Sequence, residues 1–338
     1  MPLLGSGIVP SGAVGTELTA VTRRAMIPKL VVQLYKATPV LSAALSNAQT
    51  ASGGVSSVTV PVQGTALTQA QATDFTGTFN SPGQVTGITE ADFNLKAVVV
   101  PIPFLGMEGL VQLNAAVVPL IEARMNDAGN QVADYLSTQL FTNGTPGTIN
   151  IDGFPLMTDN TQTYGNIANR SSTGVNSWWG SNARTETAVI TRNTVLADIV
   201  SAFKFSGGEM PNMGVLGPSS WTALAQNFAS LEQYRITPGE SFDQSNLGAR
   251  SMFTALMVAG VPIYLEPNYP DNQILLLNTR YFSFYIHEAA AFAFTGFAST
   301  LPNFQLGYIG ALVAVLEAIC VKPSTITQGK SYTAATPV

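Results

Sequence analysis

Residues 117–141 read VVPLIEARMNDAGNQVADYLSTQLF, and residues 142–147 read TNGTPG. Apolar residues recur at Val117, Leu120, Ile121, Met125, Ala128, Val132, Leu136 and Leu140, the spacing of one helix face. Glu122, Arg124, Asn126, Asp127, Asn130, Gln131 and Asp134 fall on the other faces. Pro119 fits only near the helix start. A helix of roughly 22 residues within this stretch spans about 33 Å at 1.5 Å per residue. Asn143-Gly144-Thr145-Pro146-Gly147 stops it, because Gly and Pro supply a turn and cannot continue the helix. A polar segment marked by aromatic residues comes next: Asp152-Gly153-Phe154-Pro155-Leu156, then Tyr164-Gly165-Asn166-Ile167-Ala168-Asn169-Arg170, then Trp178-Trp179.

Elements further out are read the same way. Val55 to Val62 is β-branched and alternates at Val58, Val60 and Val62, as a strand does. Phe93 to Ile102 is the expected partner strand. The roughly thirty residues between them are rich in Gly, Thr, Gln, Ala and Ser, too long for an internal loop of a compact domain. They make sense as a projecting hairpin, with a surface insertion as the plainer reading. Ile27 to Leu45 is apolar enough for a short helix or strand, and residues 1–25 read as an extended arm. Asn193 or Thr194 is expected to cap a helix from Val195 to Phe205 that buries Val195, Ile199, Ala202 and Phe203. Met213 to Trp221 reads as a strand, a turn and a helix start capped by Ser219. Strands are expected at residues 260–265, 273–277 and 281–287. Residues 310–321 fit a long strand or a buried helix equally well.

The order of these elements carries a resemblance. A long helix ending in an Asn-Gly turn, then a Gly-Phe step, then Tyr-Gly-x-Ile-x-x-Arg, then a Trp pair, resembles the major capsid proteins of tailed bacteriophages. Their fold is named for phage Hong Kong ninety-seven, and the resemblance runs from about Val55 to Pro323. It implies an α+β fold in four parts. These are an N-terminal arm (1–50), an extended β-hairpin loop (51–103), a peripheral domain with the long helix as spine on a β-sheet (104–205 and 297–338), and an axial domain, a sheet with flanking helices (206–296). Some members of the family join a lysine of the extended loop to an asparagine of an adjacent subunit, assisted by a glutamate. This chain departs from that pattern: Gly64 to Thr89 holds no lysine, and Lys96 sits at the hairpin base. No catalytic residue is carried over.

Composition narrows the function classes. The chain has 338 residues, 46% of them apolar, enough for one large or two ordinary domains. Charged residues make up 10%, against about 25% in ordinary soluble domains. Between Lys36 and Glu90 the only charge is Asp74. Such a surface suits a protein covered by partners, since interface cores are depleted in charge; a low-charge secreted protein is the plainer reading. A net charge of −5 without a basic tract argues against specific nucleic-acid binding. No signal peptide is read at the start, and the most apolar run, 309–321, is too short to span a bilayer and contains Glu317.

The search for chemistry returns little. His287 is the single histidine, so a histidine triad and a multi-histidine metal site are excluded. Cys320, the single cysteine, is expected to be a buried inert thiol. No phosphate-binding loop, dinucleotide fingerprint or nucleophile elbow occurs. Asp152, Asp159, Glu186, Glu209, Glu240 and Asp243 are scattered carboxylates without a motif. The resulting expectation has no enzyme activity, no catalytic or metal residue and no cofactor. The resemblance implies a head protein that assembles into pentamers and hexamers of an icosahedral shell around double-stranded DNA. Its expected partners are itself, a portal, scaffolding or decoration proteins and, non-specifically, packaged DNA, with no membrane; its expected place is the virion, after assembly in a host cytoplasm. An encapsulin-like nanocompartment and a polar β-rich hydrolase or adhesin are the alternatives.

Overall fold

The computed structural model describes residues 39–52, 54–64, 87–105, 120–229, 255–295, 298–299 and 307–333. The expected arm over 1–25, the hairpin tip at 65–86, and Glu240 and Asp243 lie outside them. The chain divides into two compact units, one of residues 1–36, 97–135 and 289–315, the other of residues 37–96, 136–288 and 316–338.

In the first unit the strand Gly307–Cys320 contributes residues up to Val315. Ala293–Phe294 and Ala298–Ser299 lie antiparallel to it, and Lys96–Leu105 pairs with it as well. The helix Leu120–Thr142 contributes its first turns here, with Ala128 and Val132 buried. Met125, expected on the same stripe, is 38% exposed.

In the second unit Gln49–Ala51 runs parallel to Phe282–His287, which in turn lies antiparallel to the end of the long strand. That pairing sets Phe282 opposite Cys320, Phe284 opposite Ala318 and Ile286 opposite Leu316. The register decides between helix and strand for the apolar run: the alternating Phe282, Phe284 and Ile286 offer an edge that a strand can complete. A short helix, Pro39–Ser46, precedes these strands.

A second sheet has six strands among the described residues, in the order Asn182–Thr185, Thr327–Lys330, Ile274–Leu277, Met213–Leu216, Val261–Leu265 and Ala255–Val258. It is mixed, and its central strands Met213–Leu216 and Ile274–Leu277 are buried at every position, as continuous apolar runs covered on both faces must be. Two helices, Arg192–Phe205 and Pro218–Ala229, share a core with this sheet through Val195, Ile199, Leu224, Ile263 and Leu276.

Caps correct two expectations. The helix expected from Val195 starts at Arg192 and is capped by Thr191, because Thr191 and Thr194 satisfy each other's backbone N–H groups in a capping box. Phe203 is 43% exposed, with Leu196 and Val200 beside it on the outer face. Ser219 is not the cap of its helix. Asp271 reaches in from the 267–272 loop instead, accepting from Ser219 N and Ser219 Oγ, both at 2.9 Å.

The hairpin differs from expectation in register. Ser57–Gln63 pairs antiparallel with Ile88–Asn94, from Ser57 opposite Asn94 to Gln63 opposite Ile88. The expected partner, Phe93–Ile102, is instead split at Leu95, whose N–H donates to Ser56 O at 2.9 Å. The chain turns there, and Lys96–Leu105 leaves for the other sheet. The physical reason is which side chains the body accepts: Ala91 and Phe93 are buried, and Phe93 packs edge-on to Tyr164 with ring centroids 5.1 Å apart.

Candidate functional site

The segment after the long helix is held by buried polar contacts. At the helix end Asn143 N–H donates to Gln139 O, and Asn143 Nδ2 donates to Ile151 O at 2.6 Å. Gly153 lies against the last helical carbonyls: a Cβ there would sit 2.5 Å from Asn143 O and 2.6 Å from Gln139 O, so only glycine fits.

Around Arg170 the chain closes on itself. This guanidinium is 1% exposed and donates to four backbone carbonyls: Trp179 and Met157 at 3.1 and 2.6 Å, Leu156 and Asp159 at 3.3 Å each. It also lies 5.2 Å from the centroid of the Tyr164 ring. Trp179 Nε1 donates to Tyr164 O, and the Tyr164 hydroxyl accepts from Cys320 N at 2.7 Å. Burial lowers the Arg170 pKa and raises that of Tyr164. The Tyr-Gly-x-Ile-x-x-Arg signature is therefore a structural pin, with Gly165 at φ +60° beneath Phe93.

A charged cluster sits at the base of the hairpin. Lys96 Nζ is 2.5 Å from Asp152 Oδ1 and 2.8 Å from Glu317 Oε2. Glu317 is fully buried, while the Lys96 and Asp152 side chains are 12% and 13% exposed. The other Glu317 oxygen accepts from Asp152 N at 2.7 Å and Ala318 N at 3.1 Å. Burial pushes the Glu317 carboxyl up to about 8, with Asp152 adding to the shift and Lys96 opposing it. Burial alone would lower the Lys96 pKa, but the two carboxylates outweigh it and raise it. Lys96 and Asp152 also line a polar cleft of ≈ 680 Å³ with Ser57, Asp92, Thr148 and Asn166.

Two further charged groups are structural. Asp198, fully buried, accepts from the Tyr332 hydroxyl and pairs with Arg184 at 2.7 Å. Glu209 accepts from the Tyr281 hydroxyl at 2.7 Å and pairs with Lys322 at 3.0 Å. Tyr281 and Lys322 line an apolar cleft of ≈ 480 Å³ together with Val60–Gln63 of the hairpin, Trp178, Trp179 and Pro323.

The scattered carboxylates do not converge. Asp159 closes a local turn, its Oδ1 bonded to Thr161 N and Thr161 Oγ1. Glu186 pairs with Arg184 at 2.5 Å. His287 ends its strand opposite Ala51. Cys320 is fully buried and its thiol is pushed up to about 12 by burial, the inert state expected of it. Among the described residues no three of His, Cys, Asp and Glu gather as a metal site, and no helix is long and apolar enough to cross a membrane. Sequence reasoning missed the pairing of Lys96, Asp152 and Glu317. The available signal was a carboxylate inside an apolar strand, which demands a buried partner.

The sequence matches no protein-family model and no curated protein. Its fold does have counterparts among solved structures. The capsid asymmetric unit of cyanophage A-1(L) superposes with a TM-score of 0.68 at 14% identity, covering 92% of this chain and 97% of the other. The capsid of a native GTA particle gives 0.58 at 12% identity, covering 94% and 99%. The holo-SrpI encapsulin complex of Synechococcus elongatus PCC 7942 gives 0.54 at 12% identity, covering 91% and 92%. The chain thus has the Hong Kong ninety-seven type fold.

Proposed function

We propose that this chain, built on the fold of phage capsid proteins, is a major capsid subunit that assembles into pentamers and hexamers of an icosahedral shell enclosing double-stranded DNA. The observation that carries the reading is end-to-end likeness: 92% of this chain aligns with 97% of a cyanophage capsid chain. Its surface is compatible: Leu196, Val200 and Phe203, at helical spacing on one outer face, are exposed at 38%, 58% and 43%, and would be covered in an assembly. Low charge fits as well, since free energy of assembly would come from apolar interfaces, above about 2,000 Å² for obligate contacts. The arm, extended loop, peripheral and axial ranges given above belong to this reading, as do portal, scaffolding or decoration partners and residence in the virion. No catalytic role is assigned in it.

The likeness to an encapsulin favours a second reading, a compartment shell that packages protein. Expression of the full chain, followed by negative-stain microscopy and sedimentation, tests both. Shells, capsomers or sheets are expected, and a monodisperse monomer would overturn the proposal. Copurified protein cargo would select the compartment; closed shells without cargo, able to fill with DNA when the other head components are present, would select the capsid.

A further inference from the structure

We propose that Pro61 closes the free edge of the hairpin to strand addition, so that two copies of the chain do not join hairpin to hairpin. This inference does not depend on the assembly reading. It concerns the strand Ser57–Gln63, which pairs on one side with Ile88–Asn94 and, among the described residues, with no strand on the other. Three hydrogen bonds fix which way each peptide group of the hairpin faces. Gly64 N–H donates to Gly87 O, and Leu95 N–H donates to Ser56 O, so 64 with 87 and 56 with 95 are hydrogen-bonded pairs. Such pairs recur at every second residue of an antiparallel ladder. Val58, Val60 and Val62 therefore spend their N–H and C=O groups on Phe93, Ala91 and Thr89. The peptide groups of Ser57, Thr59, Pro61 and Gln63 face away from the partner strand. Ile88–Asn94 obeys the same parity: Asp92, an outward position, donates its N–H to Gly165 O at 3.1 Å.

The two edges of the ribbon are thus unlike. That of Ile88–Asn94 is fastened to its own chain at Asp92. That of Ser57–Gln63 is open, a row of peptide groups on which a second chain can pair. Its side chains do not guard it: none is charged, Thr59, Pro61 and Gln63 are exposed, and Val58, Thr59, Val60 and Val62 are β-branched, well suited to a sheet. Two copies laid antiparallel about a two-fold axis would extend each ribbon into a four-stranded sheet, a contact in which the same strand serves on both sides. Pro61 stands within that row. It has no N–H to give, and its ring fills the place where a partner's carbonyl would approach. Its own hairpin loses nothing by it, because the ladder to Ile88–Asn94 does not use an N–H at position 61. A proline at 58, 60 or 62 would instead remove a bond that the hairpin makes. The strand Lys96–Leu105, which also has one partner strand among the described residues, carries Pro101 and Pro103 two residues apart, hence turned to one edge.

Sedimentation velocity and microscopy of the purified full chain test this, with circular dichroism and melting to report the fold. Pro61→Val is expected to fold, melting within a few degrees of wild type. It is expected to form irregular associates at a concentration about tenfold below any at which the wild type does, since a symmetric contact regains two hydrogen bonds. Pro61→Ala restores the N–H with the smallest side chain and should behave in the same way, which separates the missing donor from added apolar surface. Adding Thr59→Pro to Pro61→Val moves the proline to another outward position and should return the chain to wild-type sedimentation. Val60→Pro removes the N–H that serves Ala91 and should melt below Thr59→Pro. A folded Pro61→Val or Pro61→Ala chain that sediments like wild type would overturn the proposal. So would association that Thr59→Pro does not reverse, because the strand edge would then not be its cause. Equal melting of Thr59→Pro and Val60→Pro would contradict the assignment of which peptide groups face outward.

Discussion

The guanidinium of Arg170 lies over the ring of Tyr164, 5.2 Å from its centroid, and both side chains are buried. Its donors are spent on carbonyls of the turns before and after it, at Leu156, Met157, Asp159 and Trp179. Tyr164 passes the restraint on to the long strand through Cys320 N. One cation thus organises a segment with almost no regular structure. Arg170→Met removes every donor while keeping much of the volume, and the stranded carbonyls are expected to cost about 3–5 kcal/mol. Arg170→Lys should recover only part, because an ammonium has three donors and no planar fork. Chemical denaturation of the three proteins checks the order wild type, Lys, Met. Equal stability would mean that the segment is held by its aromatic residues alone.

The Glu317 carboxyl gives stability a distinctive pH dependence. Its folded pKa of about 8 stands above the unfolded value of 4.5, so the folded state holds the proton more tightly. Stability is therefore greatest on the acid side of this window and is lost as pH rises from about 5 through 8, at no more than about 1.4 kcal/mol per pH unit. Asp198, also raised by burial, acts in the same sense, so the informative comparison is wild type against Glu317→Gln. The variant should show a flatter slope between pH 5 and 8. A variant slope as steep as wild type would place the dependence elsewhere.

Val132 is 1% exposed on the long helix. Val132→Asp buries an unpaired charge and is expected to cost several kcal/mol, on the order of 3 or more. Soluble yield and thermal melting measure it. A variant that folds and assembles like wild type would remove this face of the helix from the core.

Much of this fold is legible in the sequence because its signals are periodic. The helix stripe at Ala128, Val132, Leu136 and Leu140 is buried as its spacing predicts, and Phe282 and Phe284 alternate inward from their strand. What escapes is set by contacts distant in sequence. Leu95 looks like part of one strand until Ser56 takes its N–H and the chain turns. Asp271 accepts from Ser219, 52 residues earlier in the first turn of its helix, and no local pattern announces it. Phe203 continues an apolar stripe yet faces outward, because periodicity reports a face and not what covers it. The charged cluster was readable only in part: Glu317 in its apolar run signals a buried carboxylate, but its partners come from positions 96 and 152.

Covalent linkage between subunits is not expected. The hairpin between Gly64 and Thr89 holds no lysine, and Lys96 is engaged within its own chain. Assembled particles boiled with reductant should therefore run as single chains on denaturing gels. A ladder of covalent oligomers would contradict this. Reductant is needed because unfolding exposes Cys320, buried in the native state.

The hairpin offers the sharpest separation of folding from assembly. Its strands Ser57–Gln63 and Ile88–Asn94 are paired to the end, and Gly64 N–H donates to Gly87 O at 2.8 Å, closing the ladder before residues 65–86 begin. Its base is anchored from within the chain, by Phe93 on Tyr164 and by the Gly64 backbone against Trp178. An isolated two-stranded ribbon is marginal in water, so this anchorage matters. Replacing residues 65–86 by Asn-Gly supplies the two-residue turn that such a ladder accepts. Shortening a loop changes closure entropy only slowly with length, about 0.6 kcal/mol per halving, so the subunit should melt within a few degrees of wild type. Assembly should fail or weaken sharply if residues 65–86 reach a neighbouring subunit. Circular dichroism and melting report the fold; microscopy and sedimentation report the shell. Normal shells from the shortened chain would reduce the loop to a surface insertion. A chain that no longer folds would mean that residues 65–86 belong to an internal core, and the capsid reading would lose the element that most distinguishes it from an ordinary α+β domain.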